Sequence, residues 1–246
     1  MFNKILPLIA VCYICLVSVS FAQDVDDLTY ITENYPPYNY MANGQVQGIS
    51  VDVLRAMWSE MGYPEQPIKV LPWARGYHLT LQKRNHVLFA MAKTETREDL
   101  FKWVGPIYSV KHVLIGLAGK DIKIRSIEEA KKYQIGTILK DVAEELLKAF
   151  GFDKRHLQSV STLEQSIQKL KIGRIKLIAY SEKAFWDYVK VQGYDQDKFK
   201  TVFVLDSLKG YYAFNKNTPE SLVQRFQKTL KSIESKRQKI VRQYLN

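Results

Sequence analysis

Strand-like and helix-like patterns alternate along almost the whole chain, and this alternation restricts the fold more than any other feature. Residues 87–92 form an uninterrupted apolar run, which is typical of a strand buried on both faces of a parallel sheet. A helical pattern over residues 74–85 precedes that run, and further strand–helix pairs follow it. The pattern therefore predicts an α/β fold.

The predicted elements cover the chain without a long linker, a repeat or a low-complexity segment. Strands are predicted at residues 28–32, 68–71, 87–92, 112–117, 133–138, 176–180, 201–205 and 211–214. Helices are predicted over residues 74–85, 142–150 and 182–191. Further helices are predicted to begin at Ser50 and at Thr218 with Pro219, and a last one contains Ile240. Capping boxes at Ser126 with Glu129 and at Ser161 with Glu164 indicate two more helices. Two α/β lobes fit this length better than one sheet.

The N-terminus has the pattern of an export signal. Lys4 precedes an almost wholly apolar run over residues 5–19, and Ser20 and Ala22 offer small side chains for cleavage. We predict that residues 1–22 are a cleaved signal peptide and that the protein is periplasmic; the alternatives are an uncleaved membrane anchor and a lipoprotein. Cys12 and Cys15 lie inside this segment, so the processed chain has no disulfide and folds on its apolar core alone.

The chain is strongly basic, with 36 Lys and Arg against 25 Asp and Glu and a net charge of +11. A basic protein invites the hypothesis of a nucleic-acid partner. The basic residues are dispersed over several amphipathic helices, however, and neither zinc-finger spacing nor a basic low-complexity tail occurs. We therefore expect no nucleic-acid partner.

A family resemblance rests on the order of several segments over the whole processed chain. They include Tyr35-Pro36-Pro37-Tyr38, residues 48–52, the strand followed by Lys93-Thr94-Glu95-Thr96-Arg97, and the closing residues 212–216. In this order the chain resembles the extracytoplasmic solute-binding proteins of family 3, the polar amino-acid type that serves ABC importers. Residues 71–77 and 101–106 indicate a distinct branch of that family.

The resemblance implies a two-lobe clamp that closes on a solute in the cleft between the lobes. The first lobe would comprise residues 23–109 and 208–246, and the second lobe residues 110–207. The chain would cross between them twice, near residues 108–111 and 206–210, and these segments would form the hinge. The implied protein is a monomer without cofactor or metal that passes its small-molecule solute to a separate membrane permease or sensor.

In the first lobe the resemblance assigns ligand contacts to residues of three types. Tyr35 and Trp73 match positions where aromatic rings cover the ligand. Arg97 matches the arginine that holds a ligand carboxylate. Met91 and Ala92 lie where the family offers polar groups to the ligand, but their side chains are apolar, so only their backbone groups can contact the ligand. Arg75 is a second candidate cation in this lobe.

The second lobe departs from the family pattern at three positions. Lys140 and Asp141 stand where amino-acid binders show a Gly-Thr pair at the start of a helix, and Ser181 stands where they carry an aspartate for the ligand ammonium. Two roles are open for Asp141: an anion that meets the ligand from another direction, or an ordinary helix cap. An amine-free carboxylate, a modified or larger ligand, and loss of ligand binding all stay open.

Three functional classes follow from these residues. The first is a periplasmic binding protein for a small polar carboxylate-bearing solute, an amino acid or related compound, and it has no catalytic residues. The second is an enzyme of the same fold, like the cyclohexadienyl dehydratases, with Glu33, Asp141 and Glu182 as candidate acids. The third is a sensing module for a membrane receptor. The sequence shows neither a Ser-His-Asp arrangement nor a metal-ligand cluster, which favours a binding protein over an enzyme.

Overall fold

A computed structural model describes residues 24–245 of the chain. The predicted signal peptide over residues 1–22 lies outside these residues. The strands are β1 Thr29–Thr32, β2 Tyr40–Ala42, β3 Gln45–Gln47, β4 Ile68–Val70, β5 His86–Ala92, β6 Phe101–Leu117, β7 Ile135–Ile138, β8 Leu157–Val160, β9 Leu177–Ser181 and β10 Phe199–Asn215. The helices are α1 Ile49–Glu60, α2 Trp73–Gln82, α3 Glu95–Glu98, α4 Ile127–Ala130, α5 Val142–Ala149, α6 Leu163–Lys171, α7 Glu182–Val191, α8 Glu220–Ser232 and α9 Glu234–Leu245.

Eight strands form one sheet with the order β4-β1-β5-β10-β6-β9-β7-β8. Strands β4, β1 and β5 are parallel to one another, and so are β9, β7 and β8. The long antiparallel strands β6 and β10 join these two parallel halves of the sheet. The fold is therefore α/β with two parallel units, as the alternation of patterns predicts.

The apolar run at residues 87–92 is the centre of the first parallel half. It pairs with β1 on one side and β10 on the other, and the side chains of Val87, Leu88, Phe89 and Met91 are fully buried. Helix α2 packs on this part of the sheet. A strand covered on both faces needs an apolar side chain at nearly every position, which is why the run was recognisable.

The strands predicted at residues 112–117, 201–205 and 211–214 are parts of two strands of 17 residues each. Gly105 with Pro106, and residues 206–210, have the composition of a chain break, but pairing between β6 and β10 continues through both segments with register shifts. The two segments predicted to cross between lobes are partners in this ladder: Ser109 pairs with Lys209, and Val110 with Leu208.

The predicted cap of α1 is one correction to the sequence interpretation. Gly48, not Ser50, is the N-cap residue. The Ser50 hydroxyl instead contacts the Asn39 side chain and the Tyr108 hydroxyl at 3.3 and 3.1 Å, and the Ser50 amide donates to the Tyr38 carbonyl. The start of α1 thus fixes the Tyr35–Tyr38 loop.

Replacing Gly48 by alanine should destabilise the protein by about 2–4 kcal/mol, the sum of backbone strain and overpacking. Gly48 has φ of 121°, and a Cβ there would lie 2.7 Å from the Tyr38 carbonyl carbon. Gly62 is the control, because its φ is also positive (80°) but a Cβ there meets nothing within 4 Å. Urea denaturation measures both variants, and equal losses would contradict the role of the close approach to Tyr38.

Candidate functional site

The two halves of the sheet meet around a small cavity of about 20 Å³. This is roughly the room that one water molecule requires, so the structure is a closed form of the cleft. The walls come from the end of β1, from β5 and α3, from the start of α5, and from β6 and β10. The lining residues, named the small cavity below, are Glu33, Tyr35, Trp73, Ala90, Ala92, Arg97, Val110, His112, Asp141, Val142, Leu208, Lys209 and Gly210.

Arg97 is the most completely enclosed charged side chain of the site, with 1% of its surface exposed. Its guanidinium lies over the rings of Trp73 and Tyr77 at 5.5 and 5.4 Å from their centroids. Nε and Nη2 donate to Oε1 of Glu145 at 3.1 and 2.9 Å. This ion pair links α3 to α5 across the cleft and gives the buried cation its counter-charge.

The surroundings of the Glu145 carboxylate resemble those of a bound carboxylate ligand. Its other oxygen, Oε2, lies 3.4 and 3.2 Å from the hydroxyls of Thr94 and Thr96. Glu145 therefore occupies the place on Arg97 that the sequence interpretation assigned to a ligand carboxylate. A solute carboxylate can bind this guanidinium in bidentate fashion only by displacing Glu145 or the Lys140 carbonyl, because Nη1 alone lacks a close partner, with the Ala92 carbonyl at 3.5 Å.

Lys140 contributes its backbone rather than its ammonium group. Its carbonyl accepts hydrogen bonds from Nε1 of Trp73 at 2.7 Å and from Nη2 of Arg97 at 2.9 Å. Its side chain is exposed, and its backbone has φ of 64°, a conformation that the bond from its amide to Glu144 supports. Three of the predicted site residues thus meet at one carbonyl.

Glu33 and Asp141 bring two carboxylates to the small cavity from opposite sides of the cleft. Neither makes an ion pair within residues 24–245. Burial raises the pKa of Asp141 to about 6, although the Arg97 charge opposes the shift. Burial also raises the pKa of Glu33 well above its ordinary value, and the nearby Asp141 charge adds to this. The closed cleft therefore carries negative charge that lacks a direct partner.

His112 adds a neutral polar group to the same cavity. The ring is 3% exposed, and its Nδ1 has no hydrogen-bond partner among the described residues. Burial lowers the pKa of His112 to about 4, so the imidazole is uncharged at neutral pH. It is available to hydrogen-bond a ligand without repelling a cation.

The nine predicted ligand residues separate into two groups. Tyr35, Trp73, Ala92, Arg97 and Asp141 line the small cavity, and Lys140 reaches it through its carbonyl. The other three lie elsewhere: Met91 in the core, Ser181 capping α7 through the Ala184 amide, and Arg75 exposed on α2.

Four polar residues at the site, Glu33, His112, Glu145 and Lys209, were not recognised as ligand contacts from the sequence. Glu33 was considered only as a candidate acid of an enzyme, yet it follows β1 directly, and the carboxyl ends of parallel strands are where such sheets bind ligands. Glu145, His112 and Lys209 carried no local signal. Glu182, the third candidate acid, pairs with Lys111 at 2.7 Å and does not line the cavity.

A larger cavity of about 370 Å³ adjoins the small one. The two share Glu33 and Trp73. The remaining lining residues of this larger cavity come from the first part of the sheet and from the loop before α6: Asn34, Val70, Leu71, Pro72, Ile138, Ser161, Thr162, Leu163, Glu164, Tyr180 and Tyr188.

Neither a membrane-spanning helix nor a metal site occurs in the part of the chain that the structure describes. Between residues 24 and 245, no helix combines the length and the apolar character needed to span a bilayer. The same residues contain no group of His, Cys, Asp or Glu side chains placed to hold a metal ion.

The model of the family described as bacterial extracellular solute-binding proteins, family 3, matches residues 28–246. No curated protein sequence matches the chain. An ancestral arginine-binding protein bound to arginine is similar in structure, with a TM-score of 0.77 and 19% identity over 89% of this chain and 99% of that one.

Two further solved structures are also similar. The arginine-, lysine-, histidine-binding protein ArtJ from the thermophilic bacterium Geobacillus stearothermophilus has a TM-score of 0.74 and 20% identity, over 89% of this chain and 95% of that one. A histidine kinase sensor domain with similarity to periplasmic binding proteins has a TM-score of 0.79 and 17% identity, over 89% of this chain and 96% of that one. At such identities the likeness shows the fold alone.

Proposed function

Since this chain belongs to the bacterial extracellular solute-binding proteins of family 3, we propose that it captures a small solute bearing a cationic nitrogen, such as an amino acid or a related amine. The solute lies in the cleft between two hinged lobes, outside the cytoplasm. A separate membrane permease of an ABC importer receives it. The observation that carries the proposal is the pair of carboxylates, Glu33 and Asp141, that face one cavity from opposite sides and form no ion pair within residues 24–245.

A ligand ammonium supplies the charge that this cavity lacks. Two half-buried carboxylates with raised pKa values destabilise the closed cleft as long as both are ionised. A cation between Glu33 and Asp141 offsets that cost and links the two lobes. The rings of Tyr35 and Trp73, both buried in the cavity wall, supply the apolar contact.

Thermal unfolding with three compounds of one carbon skeleton tests the proposal. Norleucine carries both charged groups, pentylamine only the amine, and hexanoate only the carboxylate. A bound compound at 100 times its Kd adds about 2.7 kcal/mol to the free energy of unfolding. Pentylamine or norleucine should raise the Tm and hexanoate should not; stabilisation by hexanoate alone would reject the amine-binding proposal.

The affinity for an amine should fall on acidification, because protons compete for the carboxylates. With the pKa of Asp141 at about 6, binding at pH 7.5 finds it ionised, and at pH 5 the affinity should be about tenfold lower. Glu33 acts in the same direction, and His112 stays neutral above pH 5.

Titration calorimetry of pentylamine between pH 5 and pH 7.5 measures this dependence. Binding of the amine should also release protons from the carboxylates. This release makes the measured heat of binding depend on the ionisation enthalpy of the buffer. An affinity that is constant or higher at pH 5 would contradict the assignment of the ammonium to Glu33 and Asp141.

An enzyme is the second candidate, favoured by the raised pKa values of two carboxylates in one enclosed cavity. A carboxyl group that stays protonated near neutral pH is a competent general acid. Turnover of a carboxylated ring substrate that is lost on changing Asp141 to Asn would support it. Saturable binding without product supports the binding protein, with transport or sensing as its use.

A further inference from the structure

The larger cavity gives a reason to define the solute more closely. It adjoins the small cavity, since Glu33 and Trp73 line both. Its volume of about 370 Å³ lies within the range of small-molecule sites. A solute held at Glu33 and Asp141 therefore has space to extend in one direction, past Trp73.

The walls of the larger cavity suit an apolar chain. Tyr180 and Tyr188 face it together with Trp73, and Leu71 and Leu163 add aliphatic surface. Aromatic rings contact methylene groups and also attract a cation over their faces. The cavity thus favours a chain that ends in positive charge over one that carries polar groups along its length.

The charges of the larger cavity are all negative. Among the described residues that line it, Glu33 and Glu164 are acidic and none is Lys, Arg or His. Oε1 of Glu164 accepts hydrogen bonds from Gln168 and the Tyr194 hydroxyl, at 2.7 and 2.6 Å. These bonds lower the pKa of Glu164, so this carboxylate is ionised at neutral pH.

Oε2 of Glu164 keeps capacity for a further donor, since its single partner among the described residues is the Tyr188 hydroxyl at 3.0 Å. A carboxylate oxygen accepts two hydrogen bonds. At the other end of the site, Glu145 and the Lys140 carbonyl hold Nε and Nη2 of Arg97, and the Ala92 carbonyl lies 3.5 Å from Nη1. A solute carboxylate therefore finds no adjacent pair of free N–H donors on this guanidinium.

We propose that the solute is an organic dication without a carboxylate: one ammonium group between Glu33 and Asp141, an apolar chain past Trp73, and a second ammonium group at Glu164. This inference rests on the proposed function and specifies its substrate class. It predicts that the protein prefers alkanediamines to monoamines and amino acids of the same length.

Calorimetric titration of α,ω-diamines with three to eight carbons, each against the monoamine of equal length, tests the preference. At one chain length the diamine should bind about two- to fivefold more tightly, because Glu164 is partly exposed and an ion pair in contact with solvent contributes only about this much. Lysine and norleucine should bind more weakly than that diamine, since their carboxylate competes with Glu145.

Variants assign the preference to the larger cavity. Glu164→Gln should reduce the ratio of diamine to monoamine affinity to about one, while its amide oxygen can keep the contact with the Tyr194 hydroxyl and its amide nitrogen faces the Tyr188 hydroxyl. Ser161→Lys, at an exposed position on the cavity rim, should do the same by adding a cation. Glu220→Gln on the distant helix α8 is the matched control and should leave the ratio unchanged.

The outcomes separate this inference from the proposal on which it rests. Equal affinities of diamine and monoamine, or a preference that survives in Glu164→Gln, would overturn the dication while monoamine binding still supports an amine-binding protein. Absence of binding by every amine would overturn both.

Discussion

Replacing Arg97 by alanine will destabilise the protein by about 3 kcal/mol, near the lower end of the cost of breaking a buried ion pair. The lower end applies because the Glu145 side chain keeps 24% of its surface exposed whereas that of Arg97 keeps 1%. The variant also loses the donor to the Lys140 carbonyl and the contacts with the rings of Trp73 and Tyr77. The bonds of Arg97 to Glu145 and to the Lys140 carbonyl join elements on opposite sides of the cleft. The contact with Trp73 supports a third such bond, from the Trp73 ring to the same carbonyl.

Two measurements follow the Arg97 variant. Urea denaturation gives the loss in free energy of unfolding, and small-angle scattering shows whether the cleft opens, which should increase the radius of gyration. Arg75→Ala is the matched control, because Arg75 is exposed on α2 and lines neither cavity. An Arg97 variant with the stability and scattering of the Arg75 variant would show that the pair with Glu145 does not hold the cleft closed.

Replacing Asp141 by asparagine will have effects of opposite sign on stability and on binding. The folded-state pKa of about 6 lies above the ordinary value of 3.8, so the stabilisation that the protonated form gives is complete below pH 3.8 and is lost as the pH rises through 6. At pH 7.5 the ionised group is a cost of about 1–3 kcal/mol, which the neutral amide removes. The Asp141 side chain makes no capping hydrogen bond to α5, and asparagine is as well suited as aspartate to an N-cap position, so α5 is preserved.

The same Asp141 variant should bind amines at least about 30-fold more weakly, the loss expected when one member of a desolvated charge pair is removed. Thermal unfolding of the ligand-free protein and calorimetric titration of pentylamine measure the two effects. Asp121→Asn is the control, since that side chain is 80% exposed and pairs with Lys123; it should alter neither quantity. A variant that is destabilised, or that binds amines as before, would remove Asp141 from the site.

Local patterns in the sequence predict most of the sheet and several helices. The buried run at residues 87–92 and the helix Glu182–Val191 are recovered within one residue. The β2–β3 hairpin was missed although Asn43 and Gly44, with φ of 52° and 74°, are the residue types that such a turn requires. Strand β8 was also missed, because Leu157–Val160 is short and only partly buried.

The site was less predictable, for a physical reason. The family resemblance led to Arg97, Trp73 and Asp141, but it gave no indication that the Glu145 carboxylate would form an ion pair with Arg97. That contact joins residues 48 positions apart on two elements whose approach depends on closure of the cleft. Glu33 and Asp141 acquire raised pKa values only when the fold buries both, and no local spacing in a sequence encodes burial against a distant segment.

The most direct test of the proposed function is a crystal structure of the protein with the amine or amino acid that raises its Tm most. The account predicts the ligand nitrogen at hydrogen-bond distance, about 2.7–3.2 Å, from the carboxylates of both Glu33 and Asp141, with Glu145 still paired to Arg97 if the ligand has no carboxylate. A ligand whose nitrogen contacts neither carboxylate, or one that binds outside the two cavities, would contradict it.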